Sequence, residues 1–141
     1  MFRRTLWILA FALASPVPAL AALQAGAEAS GPAPHPLAVA ASRASEAFGA
    51  CLNARLERDV ESATSEGAAA NIALLAIQAC GEERQSWQQA AEAFIASDAV
   101  PAERRAELRS RLEAQLSYLP TELEAGAREA IHRRLQPGHG H

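Results

Sequence analysis

Two cysteines constrain the fold of this chain more than any other feature of its sequence. Cys51 and Cys80 are its only cysteines, and they lie equally far on either side of Ser65 and Glu66, in a stretch whose small polar residues predict a turn. If a helix enters and another leaves that turn, about 14 helical residues, or about 20 Å, separate it from each cysteine. In an antiparallel helical hairpin the two cysteines are therefore level with each other.

The first 21 residues have the layout of a secretory signal peptide. Arg3 and Arg4 precede an uncharged apolar run at 6–14, and small residues lead to a cleavage position after Ala21 or one residue later. Prolines interrupt the apolar run well short of the roughly 20 residues that span a bilayer, which favours cleavage over a membrane anchor. We expect a periplasmic or secreted protein without stable membrane insertion.

Export places the cysteines in an oxidising compartment, so we predict a structural disulfide between Cys51 and Cys80. Disulfide-bonded Cα atoms lie about 4.4–6.8 Å apart, closer than the usual helix spacing of about 8–10 Å. Gly49 and Gly81 lie beside the cysteines and are expected to permit this approach. The long spacing is unlike that of a redox C-x-x-C motif.

Composition divides the rest of the chain into three parts. Residues 22–36 are rich in Ala, Gly, Ser and Pro without a sustained hydrophobic period, which indicates a flexible leader. Apolar residues at spacings of three and four predict a helical domain over 37–135. The tail at 136–141 contains two histidines and is expected to be disordered.

The hydrophobic period predicts four helices, at 37–64, 66–96, 101–119 and 122–135. We expect Ser65 to cap the second helix with its side chain. Pro120 indicates a kink or a break, and the Thr-x-x-Glu sequence after it is typical of a capping box, so a separate fourth helix is predicted. The predicted fold is all-α: a disulfide-linked antiparallel hairpin with two further C-terminal helices, in a small helical bundle.

The charge balance argues against a nucleic-acid-binding protein. Loss of Arg3 and Arg4 with the signal lowers the basic residues from 13 to 11, against 16 acidic residues, which gives a net charge of −5. All the basic residues are arginine. An acidic, soluble surface is the simplest interpretation of this balance, and we expect no nucleic-acid partner.

The four histidines are the first candidate metal ligands in this sequence. His139 and His141, with His132 or His35, are weak candidates for binding copper, nickel or zinc. Glu129 and His132 form a single Glu-x-x-His step, whereas a di-iron bundle needs two such steps. We therefore expect no cofactor, and a metal-binding accessory protein that uses the C-terminal histidines is the alternative to the main hypothesis.

The sequence contains no recognisable catalytic motif, so we expect a non-enzymatic protein. Its many alanines predict a thin core that either the C-terminal helices or a partner must cover. Leu108, Leu112 and Leu116 lie in line and form a possible partner-binding face. The main hypothesis is a helical module that binds an unknown protein partner or forms a homo-oligomer.

The stretch 46–95 places one cysteine on each helix and contains the alanine-rich segment Ala-Ala-Ala-Asn-Ile-Ala-Leu-Leu-Ala-Ile-Gln-Ala-Cys, followed by Gly-Glu-Glu-Arg. In these features it resembles small uncharacterised exported proteobacterial helical-hairpin proteins with one cysteine per helix. The resemblance covers about a third of the chain and implies a location but no activity. The predicted shape is also similar to that of periplasmic stress chaperones, without their Leu-Thr-x-x-Gln motifs.

Overall fold

The computed structural model describes residues 32–136 and 138, and the regular structure within them is entirely helical. The prediction of a small all-α bundle with a Cys51–Cys80 disulfide is confirmed. The predicted signal peptide and most of the predicted leader lie outside the described residues. Within residues 32–136 the α-helices are α1 (Pro36–Ser62), α2 (Ala69–Ala79), α3 (Gly81–Ala96) and α4 (Ala102–Leu135), and the 3-10 turn Glu66–Ala68 precedes α2.

Helix α1 begins at a well-defined cap. His35 is the N-cap residue, and its Nδ1 accepts a hydrogen bond of 3.2 Å from the backbone N–H of Leu37. Pro36 occupies the first helical position, where its missing N–H and fixed φ are favourable. Along the helix, apolar side chains at helical spacing face the core: Ala41, Phe48, Leu52, Leu56 and Val60.

The arm formed by α2 and α3 runs antiparallel to α1, as the cysteine positions predict. Cys51 is bonded to Cys80 with their Cα atoms 5.9 Å apart. Further from the turn, the rings of Phe48 and Trp87 stack with their centroids 5.7 Å apart. Because residue numbers fall in α1 as they rise in the second arm, these two contacts fix the register of the hairpin.

The second arm is not the single helix that was predicted over 66–96. Cys80, with φ −102° and ψ 29°, lies between α2 and α3 and interrupts the helical backbone. Cysteine and glycine have low helix propensity, so Cys80 and Gly81 are a favourable place for the interruption. Its consequence is that α3 packs mainly on α1, whereas α2 packs mainly on α4.

The capping prediction for Ser65 and the prediction for Gly81 beside the disulfide are wrong. Ser65 precedes the 3-10 turn, but its side chain makes no capping hydrogen bond. A Cβ atom built on Gly81 would meet no atom within 4 Å, so this glycine is not needed for a close approach of helices. Gly49, the other glycine of that prediction, is buried in α1, and its part in the close approach stays a prediction.

Helix α4 is continuous through Pro120, so the prediction of separate helices at 101–119 and 122–135 is wrong. The capping box predicted after the proline lies inside this helix. Leu119 and Leu123, on either side of Pro120, are both buried in the core. Their packing outweighs the cost of an internal proline, which is about 3 kcal/mol.

Polar contacts position α4 along the whole hairpin. Near its start, Arg109 Nε lies 3.0 Å from a carboxylate oxygen of Glu92 on α3. Near its end, His132 Nδ1 lies 2.7 Å from Glu66 Oε1 in the turn before α2. Helix α4 therefore runs antiparallel to the α2–α3 arm and covers the hairpin as the third arm of the bundle.

Candidate functional site

The partner-binding face predicted on α4 is part of the core of the chain. Leu108 and Leu112 retain only 7% and 5% of their exposed surface, and the partly buried Leu116 packs against the same core. The prediction fails because one apolar stripe on a helix looks the same in sequence whether it faces its own chain or another. In this fold the stripe covers the hairpin, so these leucines are not available to a partner.

Helix α2 exposes a pair of neighbouring leucines. Leu74 and Leu75 are 51% and 47% exposed, although they lie in the middle of the helix. The opposite side of α2 is buried against α1 and α4. We define the outer face of α2 by its six exposed residues: Ala70, Asn71, Leu74, Leu75, Gln78 and Ala79.

This face also lacks charge. From Gly67 to Gly81 the chain contains no Asp, Glu, Arg, Lys or His, so α2 has no ionisable group on any side. Elsewhere in the described residues, the large exposed hydrophobic side chains lie singly, on Leu37, Tyr118 and Leu135. In the part of the chain that the structure describes, α2 alone has two large exposed hydrophobic residues adjacent in sequence. An uncharged apolar patch of this kind is typical of an interaction site.

Sequence reasoning missed this surface although a signal was present. Aliphatic residues occur on all sides of α2 rather than on one stripe. A helix that is apolar all round is normally covered on all sides. In this chain α1 and α4 cover one side only, so the other side of α2 stays exposed in spite of its apolar leucines.

The disulfide lies beside an acidic side chain. The two sulfur atoms and a carboxylate oxygen of Glu83 lie within 4.8 Å of one another. Both sulfurs are bonded to each other, so these three residues do not form a chelating site while the disulfide is intact. Cys80 is fully buried and Cys51 partly so, which is typical of a structural bridge.

The histidines of the described residues make contacts that hold segments together. His132 contacts Glu66 in the turn before α2. His35 caps α1 through Nδ1, and its Nε2 lies 3.5 Å from Asp98 in the loop before α4. Within residues 32–136 no histidine belongs to a group of three potential metal ligands. His139 and His141 lie outside the described residues, so binding of metal by the tail stays a prediction.

A concave surface lies between the start of α1 and the end of α3. It has a volume of about 500 Å³, and its lining includes His35, Arg43, Glu46 and Phe94. The rings of His35 and Phe94 are tilted, with their centroids 6.2 Å apart. Because His35 is already engaged as the cap of α1, this groove offers apolar and ionic contacts rather than a free imidazole nitrogen.

Comparison with protein families, with curated proteins and with solved structures gave no match to this chain. Within the described residues, no helix combines the length and the apolar character needed to cross a bilayer. Any functional interpretation therefore depends on the surfaces of the chain itself. Among these surfaces, the outer face of α2 differs most from an ordinary solvated surface.

Proposed function

We propose that this chain is an exported, non-enzymatic helical module that binds protein through the outer face of α2. The observation that carries the proposal is the exposure of Leu74 and Leu75 on a helix without charge. The disulfide-linked hairpin provides a rigid support for this helix, because Cys80 anchors the end of α2 to α1.

The energetics of the face favour binding to protein. Burial of a fully exposed leucine side chain contributes about 1.5–3 kcal/mol, so two half-exposed leucines together contribute about 2 kcal/mol. No charged group has to lose its water, a loss that often cancels the gain from an interfacial ion pair. Asn71 and Gln78, at the two ends of the leucine pair, supply amides that can form hydrogen bonds with a partner.

The N-terminal sequence and the cysteines support export. Arg3 and Arg4 followed by an apolar run have the pattern of a signal peptide. The two cysteines of the chain form a disulfide, which is typical of proteins that fold in an oxidising compartment. The non-enzymatic part of the proposal is supported by the contacts of His35 and His132, which serve to hold chain segments together.

Site-specific photo-crosslinking tests the proposal. We expect a benzophenone amino acid at Leu75 to form protein adducts in cells that express the full chain. The matched control carries the same amino acid at Ala93, an exposed position on α3. Adducts that form at position 75 with at least about tenfold higher yield than at position 93 support the proposal. Equal or undetectable yields at both positions contradict it.

A further inference from the structure

The outer face of α2 is self-complementary, and we propose that its partner is a second copy of this chain. The inference rests on the proposed function of this face and names its partner. Residues 70–79 read Ala-Asn-Ile-Ala-Leu-Leu-Ala-Ile-Gln-Ala, which is almost the same in either direction. The single departure from a palindrome exchanges Asn71 for Gln78, two side chains that carry the same amide group.

The fold preserves this symmetry on the surface of the protein. The centre of the palindrome lies between Leu74 and Leu75, and burial is symmetric about the same point. The six outward residues that define the outer face are all exposed. Their inward neighbours all belong to the core: Ile72, Ala73, Ala76 and Ile77.

A two-fold axis between Leu74 and Leu75 would place two copies of α2 antiparallel. Leu74 of one copy then lies opposite Leu75 of the second copy, and Asn71 lies opposite Gln78 of the second copy. Leucine packs on leucine, and each amide can both donate and accept a hydrogen bond. The alanines at the ends of the face meet each other and allow the two backbones to approach. Every pair is chemically matched, as an isologous interface requires.

Charge and area define what kind of dimer this is. Glu66 and Glu82 lie outside the face at its two ends, so the face itself is uncharged, but the antiparallel arrangement brings acidic residues of the two copies near each other at both ends and weakens the dimer. Helix α2 has 11 residues and is about 16 Å long. Its face is therefore much smaller than the roughly 800 Å² per partner of a standard interface. We expect a dissociation constant of about 10 μM or weaker.

Paired charge substitutions test both the dimer and its geometry. The measurement is analytical ultracentrifugation of the purified, disulfide-intact chain at low salt, from about 10 μM to about 1 mM. Wild type is expected to shift from monomer to dimer over this range. N71E/Q78E places like charges opposite each other and should weaken the dimer about tenfold or more. N71E/Q78K places opposite charges in contact across the axis and should dimerise at least as well as wild type.

The opposite-sign variant distinguishes the proposed arrangement from a parallel one. In a parallel pair, position 71 faces position 71, so N71E/Q78K would weaken that dimer as well. A wild type that stays monomeric at about 1 mM, or a like-charge variant that dimerises normally, overturns the inference. If the wild type is monomeric but position 75 forms adducts with another protein in cells, the proposed function stands and only the self-association fails. Circular dichroism verifies that each variant is folded.

Discussion

Replacement of both cysteines in the C51A/C80A variant is expected to lower the free energy of unfolding by about 3–4 kcal/mol. The bridge closes a loop with a sequence separation of 29 residues and restricts the unfolded chain accordingly. It also fixes the position of Cys80, where the second arm changes from α2, which packs mainly on α4, to α3, which packs mainly on α1. For a domain of about 100 residues, the loss corresponds to a fall in the melting temperature of roughly 15 °C or more.

Thermal and urea unfolding followed by circular dichroism measure this effect. Wild-type protein treated with a reducing agent is the control, because it lacks the bridge but keeps both side chains. It should unfold near the temperature of the alanine variant. A melting temperature that does not change after either treatment would mean that the bridge contributes nothing to the hairpin.

The second large effect is expected at Leu123, a residue of α4 whose side chain is fully buried in the core. Leu123→Ala should reduce the free energy of unfolding by about 2–5 kcal/mol, because it removes apolar contacts and leaves a cavity. The matched control is Leu74→Ala, the same change at a half-exposed position on α2. In the monomer, this control should change stability by less than about 0.5 kcal/mol.

Chemical unfolding in urea at low protein concentration compares these two variants. The difference between them tests whether α4 packs on the hairpin beyond Pro120. If α4 ended at the proline and its second half were detached, Leu123→Ala would cost as little as Leu74→Ala. Equal stabilities of the two variants would therefore contradict the continuous third arm.

The hairpin could be predicted from the sequence because the features that determine it are local or depend only on the spacing of residues along the chain. The turn residues near Ser65, the hydrophobic period of α1 and the equal spacing of Cys51 and Cys80 each indicate the same antiparallel arrangement. These features agree without knowledge of what else packs on the hairpin. The position of the disulfide was therefore predicted correctly, and the bounds of α1 to within two residues.

The interruption at Cys80 and the continuity at Pro120 depend on packing and could not be predicted locally. Proline is a stronger helix breaker than cysteine in isolation. In the folded chain, buried side chains on both sides hold α4 together, whereas the second arm divides its contacts between α1 and α4. Tertiary contacts therefore outweighed the local preferences: the helix continues through Pro120 and is interrupted at Cys80.

The candidate site was misplaced for a related reason. Leu108 and Leu112 show a clearer amphipathic stripe than α2, and this stripe suggested a partner-binding face. Such a stripe shows that a helix is covered on one side, but not by which chain. The signal that was overlooked is the absence of any charged residue on α2, because one side of that helix remains exposed after the chain has folded.

Leucine methyl NMR with a soluble paramagnetic agent tests most directly whether the outer face of α2, rather than the α4 stripe, is the apolar surface open to a partner. In dilute, disulfide-intact protein, we expect strong broadening of the methyl signals of Leu74 and Leu75. The signals of Leu108 and Leu112 should stay sharp. Broadening of the α4 leucines, with Leu74 and Leu75 protected, would contradict the account.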